Sequence, residues 1–186
     1  MSLKQHIEYA LRDKIVDKIK HKQLIAEPYA ISREYNVNPY FLFEHYSTHL
    51  SIQDVEFLKK FKIYNSNNPG IIFIDNTSKA DSFQMMAAIL IRNSMEAYYY
   101  RVEDFVSFLE LDHMNKYKFV HKIVFIPNIS HLENKQPFLN FLNFSIDNSI
   151  YLVLHFPTVQ DIVGVLNEYW YYIFAKDFRF VTDSEN

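Results

Sequence analysis

The sequence predicts an α/β protein: a mainly parallel five-stranded sheet flanked by helices, with a small helical N-terminal region ahead of it. Three observations predict it. After residue 70, five short apolar runs alternate with segments of helical periodicity, the pattern of strands joined by crossover helices. Two of those runs, Ile123–Ile126 and Tyr151–Leu154, are apolar at successive positions, as strands covered on both faces are. Before residue 64 the periodicity is helical throughout.

Residues 3–22 place Leu3, Ile7, Ala10, Leu11, Ile15 and Ile19 at helical spacing, which predicts an amphipathic helix. Pro28 opens a second helix whose apolar face is Ala30, Ile31 and Tyr35. A turn at "NVNP" follows, with Val37 at its centre, and "YFLFEHYSTHL" reads as a further helix. Helix, turn and helix together give a helix-turn-helix outline. Residues 52–63 continue as helix. "YNSNNPG", residues 64–70, gathers Asn, Ser, Pro and Gly and is the clearest break in the chain. It separates a helical region, 1–63, from an α/β domain, 70–182, followed by a tail at 183–186. In that domain strands are predicted over 71–75, 97–102, 121–129, 149–156 and 178–182. Helices are predicted over 79–94, 103–111, 135–146 and 158–174, the last opened by Thr158 with Asp161 in capping-box spacing.

A chain of 186 residues, 49% hydrophobic and 22% charged, can bury a real core. Its formal net charge of -3 is not that of a strongly nucleic-acid-binding protein. Cysteine is absent, which excludes disulfides, thiol catalysis and Cys-based zinc sites. There is no signal-peptide pattern and no apolar run of the ~18 residues a membrane span needs, so a cytoplasmic location and no membrane partner are expected. The two glycines, Gly70 and Gly164, equip the chain poorly for a glycine-rich phosphate loop.

Even so, "GIIFIDNTSKADSFQMMAAILI" runs strand, polar turn, helix, the order in which P-loop proteins wrap a nucleotide. When G-x-x-x-x-G-K-[ST] is laid over "DNTSKADS", Asp75 falls at the first Gly, Ala80 at the second, Asp81 at the Lys and Ser82 at the Ser/Thr. Only Ser82 matches. Asp75 and Asp81 would set carboxylates against phosphates that a lysine and backbone N–H groups should neutralise. Lys79 stands two positions early. After the third strand, Pro127 and Asn128 occupy the place of a Walker-B acid and its neighbour.

Over residues 53–182 the order of elements resembles the AAA+ helicase loaders and transposition ATPases. "PGIIFIDNTSKADSFQMMAAIL" sits at their Walker-A strand and helix, and "AYYYRVEDFVSFL" is similar to their second strand and its helix. "KIVFIPNISHLENKQPFLNFL" looks like Walker B with the helix after it. "IYLVLHFPTVQDI" resembles the fourth strand with its sensor end, which puts His155 near the polar sensor position, and "KDFRF" resembles the late strand. The resemblance implies a P-loop/AAA+-like sheet with a degenerate nucleotide site at Asp75, Lys79, Ala80, Asp81, Ser82, Asn128 and His155. A scaffold retained with its motifs lost implies a pseudo-ATPase, with no catalytic residues and no cofactor, that works by binding a replication protein such as a helicase, loader or initiator. The competing reading is an unrelated α/β protein in which residues 71–91 are an ordinary strand and helix.

The remaining constellations are weaker. His45 and His49 are one helical turn apart on "FEHYSTH", but the sequence offers no third ligand, so no metal site is expected. There is no G-x-S-x-G elbow. Tyr98, Tyr100, Tyr169, Trp170 and Tyr172 lie in two aromatic stretches, and adjacent positions point different ways, so some of them are expected at a protein interface. The helix-turn-helix outline makes Asn38, Tyr40 and His45 candidate base contacts and Lys14, Lys18 and Lys20 candidate backbone contacts. Against that, residues 38–49 hold no Arg or Lys. The function that competes with the adaptor is therefore a DNA-binding regulator whose α/β domain serves for homo-oligomerisation. An enzyme of an unrelated α/β class is a third reading. Richness in Asn, Lys, Ile, Phe and Tyr suits an AT-rich genome and hence a phage or mobile-element origin.

Overall fold

A computed structural model describes residues 28–43, 50–60 and 69–182. The helix expected over 3–22, and with it Lys14, Lys18 and Lys20, lies outside the described residues, as do His45, His49 and the tail. The chain divides into two compact units. One is Met1–Ile63 with Ala80–Tyr99, and the other is Tyr64–Lys79 with Tyr100–Asn186. The first unit thus takes in a helix and a strand that the sequence alone assigns to the α/β domain.

In the first unit, α1 (Pro28–Tyr35) and α2 (Pro39–Phe43) are short helices joined by Asn36–Asn38. Asn36 takes a left-handed φ of 57°, which asparagine tolerates better than most residues. Val37 is buried, as a helix-turn-helix core residue would be. Asn38 caps α2, its Oδ1 accepting the Tyr40 N–H at 3.0 Å. Its own N–H donates to Gln84 Oε1 at 2.9 Å, and the Arg92 guanidinium donates to the Phe41 carbonyl. Both of those partners lie on α4 (Ala80–Arg92), so α2 is tied to that helix at its cap and at its middle residue. α3 (Ile52–Lys60) opens with a reciprocal cap: Ser51 N–H to Asp54 Oδ2 at 2.9 Å, and Asp54 N–H to Ser51 Oγ at 3.2 Å. α4 is apolar nearly all round and buries Phe83, Met85, Met86 and every residue from Ala87 to Ile91, the character of a core helix. The short strand β2 (Ala97–Tyr99) completes the unit, with the Tyr98 ring 4.9 Å from that of Tyr35.

The second unit holds β1 (Gly70–Ile74), α5 (Val102–Leu111), a 3-10 helix (Asn115–Phe119), β3 (Ile123–Ile126), α6 (Gln136–Asp147), β4 (Tyr151–Phe156), α7 (Val159–Asp177) and β5 (Arg179–Thr182). The sheet order is β2-β3-β4-β1-β5. β1 runs parallel to both β4 and β5, with Ile71 opposite Val153 on one side and Arg179 on the other. β3 runs parallel to β4, with Ile123 opposite Tyr151. This is the five-stranded α/β sheet the sequence predicts. β3 and β4 are interior as expected, and β1 is interior too, because β5 returns to its outer side. The 3-10 helix is an addition that the apolar pattern does not show.

α7 starts with the capping box at Thr158, whose Oγ1 accepts the Asp161 N–H while Asp161 Oδ2 accepts the Thr158 N–H. The helix breaks at Asn167 (φ 51°, ψ 174°). There the Asn167 side chain accepts the Trp170 N–H at 3.3 Å and starts a second helical stretch. Between α5, the 3-10 helix and α6 lies an aromatic core. Phe105 and Phe119 are fully buried, and their ring centroids are 5.5 Å apart. Tyr100 sits against them at 5.4 and 5.8 Å.

The two glycines should respond oppositely to alanine. A Cβ at Gly70 would collide with the Leu152 carbonyl oxygen and lie 2.6 Å from the Phe178 ring, whereas nothing lies within 4 Å of one at Gly164. Gly70→Ala is expected to lower unfolding free energy by about 1–3 kcal/mol through overpacking, and Gly164→Ala to raise it by about 0.5–1 kcal/mol. Urea denaturation of the two variants measures both. A second expectation concerns alkaline pH. Burial, then Glu96 and Glu34, push the Tyr98 hydroxyl up to about 12, and burial followed by Glu34, Glu96 and Tyr98 raises Tyr35 further still. The folded state therefore keeps protons that the unfolded chain begins to lose near pH ~10. Stability should be intact below pH ~10 and fall as the pH climbs towards 12. Melting temperatures across that window, with tyrosinate absorbance followed in parallel, test it.

Candidate functional site

Three strand ends meet at one polar cluster. β1 ends at Ile74, and the Asp75 N–H reaches the Phe156 carbonyl at 3.3 Å, which carries the parallel pairing one residue past the strand. The chain then needs a tight polar turn, and Asp75 builds it. Its Oδ1 accepts both the N–H and the Oγ1–H of Thr77, each at 2.8 Å. Its Oδ2 pairs with Lys79 Nζ at 3.1 Å, both side chains being nearly inaccessible. Lys79 Nζ also lies 5.7 Å from the centre of the Phe73 ring.

Asn128, just past the end of β3, ties this turn down. Its φ of 53° is left-handed. Its Oδ1 accepts the Lys79 N–H at 3.1 Å, and its Nδ2 donates to Ser78 Oγ at 2.9 Å. Its own N–H donates to His155 Nδ1 at 2.9 Å. His155, on β4, is buried and places Nε2 2.7 Å from the Asp75 carbonyl oxygen. Nδ1 receives a proton and Nε2 faces an acceptor, so these bonds suit the neutral imidazole with its hydrogen on Nε2. The His155 carbonyl in turn accepts the Ile129 N–H at 2.8 Å.

Of the residues expected at a degenerate nucleotide site, the structure thus joins Asp75, Lys79, Asn128 and His155 into one hydrogen-bonded network at the carboxyl ends of β1, β3 and β4. That is where ligands of open α/β sheets bind. Ala80, Asp81 and Ser82 begin α4 in the other unit. Asp81 is exposed in its first turn and Ser82 is buried. Thr77 and Ser78 belong to the network and were not anticipated. The signal available was Asp75 two residues ahead of Thr77, the spacing of an Asx turn.

The chemistry follows from where the donors point. In a phosphate-binding loop, backbone N–H groups and a lysine converge on the anion. Here the N–H groups of Thr77 and Lys79 are received by side-chain oxygens of Asp75 and Asn128, and the lysine ammonium by a carboxylate. An incoming phosphate would meet donors already engaged, beside the Asp75 carboxylate. Among the described residues no group of three His, Cys, Asp or Glu side chains could hold a metal ion.

The other candidates are dispersed. Tyr98 and Tyr100 are buried in the protein's own cores, which corrects the expectation that they face a partner. Ala97, Tyr98, Tyr99 and Tyr100 are all covered, so neighbouring positions of this stretch are buried on both sides. Trp170 is half-buried and stacks on Phe174 at 6.0 Å, and Tyr172 is 72% exposed. The Tyr169 side chain lies outside the described ones. Asn38 is occupied as a helix cap, while Tyr40 is 57% exposed with its ring edge-on to Phe41.

The sheet and its flanking helices define an α/β protein with a P-loop, AAA+-like fold. Among solved structures, the crystal structure of the DnaC helicase loader matches with a TM-score of 0.57 and 11% sequence identity, over 81% of this chain and 98% of that one. At that identity the likeness concerns the fold. No protein-family model matches the sequence. No curated protein matches it either. No helix among the described residues is long and apolar enough to cross a membrane.

The Asn128 links can be tested through stability. Asn128→Ala removes the acceptor of the Lys79 N–H and puts a left-handed φ on alanine. The expected loss is about 2–4 kcal/mol, from a buried unsatisfied donor and about 1–2 kcal/mol of backbone strain. Asn128→Gly relieves the strain alone and should recover about 1 kcal/mol of it. Chemical denaturation of the pair separates the two contributions, and equal losses would mean that the φ carries no strain.

Proposed function

We propose that the chain is a non-catalytic AAA+-like adaptor, which binds a protein of DNA replication (a helicase, a loader or an initiator) and does not hydrolyse ATP. The observation that carries this reading is the self-satisfied loop after β1, where Asp75, Lys79 and Asn128 bond one another's groups. The likeness of the fold to a helicase loader supports the replication side of the reading. The absence of a lysine at the start of α4, where Asp81 stands, supports the loss of catalysis. A pseudo-ATPase of this kind acts through its surfaces, which is consistent with an exposed Tyr172 and a half-buried Trp170 on α7.

The competing reading is a DNA-binding regulator that uses α1, its turn and α2. The buried Val37 favours that outline, and the capping role of Asn38 weighs against it. It calls for salt-dependent DNA binding.

Calorimetric titration of the purified chain with Mg-ATP tests the central claim, with Asp81→Lys run alongside. No binding is expected below about 1 mM, equivalent to less than about 4 kcal/mol of binding free energy. Micromolar binding by the native chain would overturn the adaptor reading. Size-exclusion chromatography with the purified replicative helicase and initiator should show co-elution with one of them. Binding to duplex DNA alone would favour the regulator instead.

A further inference from the structure

α7 is one helix by its periodicity and two by its backbone. The first stretch buries Ile162, Val165 and Leu166. At about 100° per residue, an unbroken helix would continue that face through positions 169 and 173, where the sequence has Tyr and Ile. The structure takes another register. After the break at Asn167 it buries Phe174, one residue and so about 100° beyond position 173, and leaves Tyr172 exposed.

Side chains hold the break against backbone preference. Asn167 combines a left-handed φ of 51° with an extended ψ of 174°, close to a region that essentially only glycine occupies. A continuous helix would give the Gly164 carbonyl to the N–H of residue 168, and the Leu166 carbonyl to the N–H of Trp170. Here Lys135 Nζ, at the start of α6, donates to the Gly164 carbonyl, and Asn167 Oδ1 accepts the Trp170 N–H at 3.3 Å. Phe174 secures the second stretch, its ring 6.0 Å from that of Trp170 and 5.0 Å from that of Phe178.

The break also divides an apolar stripe. Val159 and Val163 are 46% and 42% exposed, one turn apart. On a continuous helix Trp170 and Phe174 would fall within about 60° of them, which makes one stripe along the outside of α7. In the broken helix that stripe is cut in half, with Phe174 in the core and Trp170 half-buried.

We propose that α7 is a latched two-state helix. Broken at Asn167, it keeps Phe174 in the core. Continuous, it turns residues 168–177 by about 100°, brings positions 169 and 173 onto the face of Ile162 and Leu166, and lines Trp170 and Phe174 up with Val159 and Val163. The continuous form gives up a buried Phe174. In return it relieves Asn167 and restores the helical ladder, so the broken form is the major state and the continuous form a minor one. Lys135 and Asn167 are the latch. The proposal goes beyond the adaptor reading and does not depend on it.

The test is NMR relaxation dispersion on the full chain, which reads exchange on the μs–ms scale, with the Cα chemical shift of residue 167 reporting whether that residue is helical. The native chain should show exchange around Asn167, with a minor state of about 1–10% whose shift at residue 167 is helical. Asn167→Ala loses the cap and disfavours the left-handed φ, so it should move the ratio towards the continuous form at least about tenfold. It should also bind an apolar dye such as anilinonaphthalene sulfonate more strongly than the native chain, because the outer stripe is complete. Asn167→Gly accepts the φ and penalises the helix, and should suppress the exchange. Lys135→Met, at an exposed position, should raise the minor state about two- to fivefold, the size of an exposed charged contact. No exchange in the native chain, a non-helical residue 167 in Asn167→Ala, unchanged dye binding by that variant, or equal exchange in the Gly and Met variants would each overturn the proposal. Should Asn167→Ala fail to fold, the Gly and Met variants decide, because they must move the exchange in opposite directions.

Discussion

The pairing of Asp75 with Lys79 is the constraint on which the site depends. Two opposite charges lie nearly out of water within one turn of chain. Each is tolerable there only while the other is present, because removing one partner of a buried pair typically costs about 3–5 kcal/mol. The pair therefore sets the path of the loop, and the loop sets what Asn128 can reach. Asn128 binds the loop at Ser78 and Lys79 and passes its own N–H to His155, which closes the circuit on the Asp75 carbonyl. The ends of β1, β3 and β4, far apart in sequence, are joined in this way through the side chains of Ser78, Asn128 and His155.

Local signals were legible in the sequence and distant ones were not. The Thr158 capping box could be read directly, since both of its partners lie within one turn. The five strands could be read as apolar runs, because in a covered parallel sheet the hydrophobic pattern is nearly continuous. The order of those strands could not. The placement of β1 between β4 and β5 comes from pairings between Ile71 and Val153 or Arg179, and no local pattern encodes them. β2 shows the converse. Alternation argues that Tyr98, Tyr100, Tyr169, Trp170 and Tyr172 cannot all face a core, but it does not say which are exposed, and Ala97 to Tyr100 are all buried while Tyr172 is exposed. The candidate site was half legible. Overlaying a phosphate-loop pattern drew attention to Asp75, Lys79, Asn128 and His155, while their bonds to one another needed the tertiary fold. Asn128 took the place of a missing acid in sequence, and in the structure it is the acceptor that holds the loop.

The same network bears on where the donors of the loop after β1 are satisfied. A phosphate loop in a nucleotide-binding protein leaves N–H groups and an ammonium facing an anion, and without the anion those groups need water or another acceptor. Here the acceptors are built in. Asp75 supplies both a carboxylate for Lys79 and the oxygen for Thr77, and Asn128 supplies the oxygen for the Lys79 N–H. For a nucleotide to take up these donors, it would have to separate a buried ion pair, free two backbone donors and bring phosphate charge towards a carboxylate. Each of those changes opposes binding. Loop stability and anion affinity draw on the same donors, so strengthening one weakens the other. In the loop after β1 those donors are spent on Asp75 and Asn128, and the ends of β1, β3 and β4 are held together by the bonds that result.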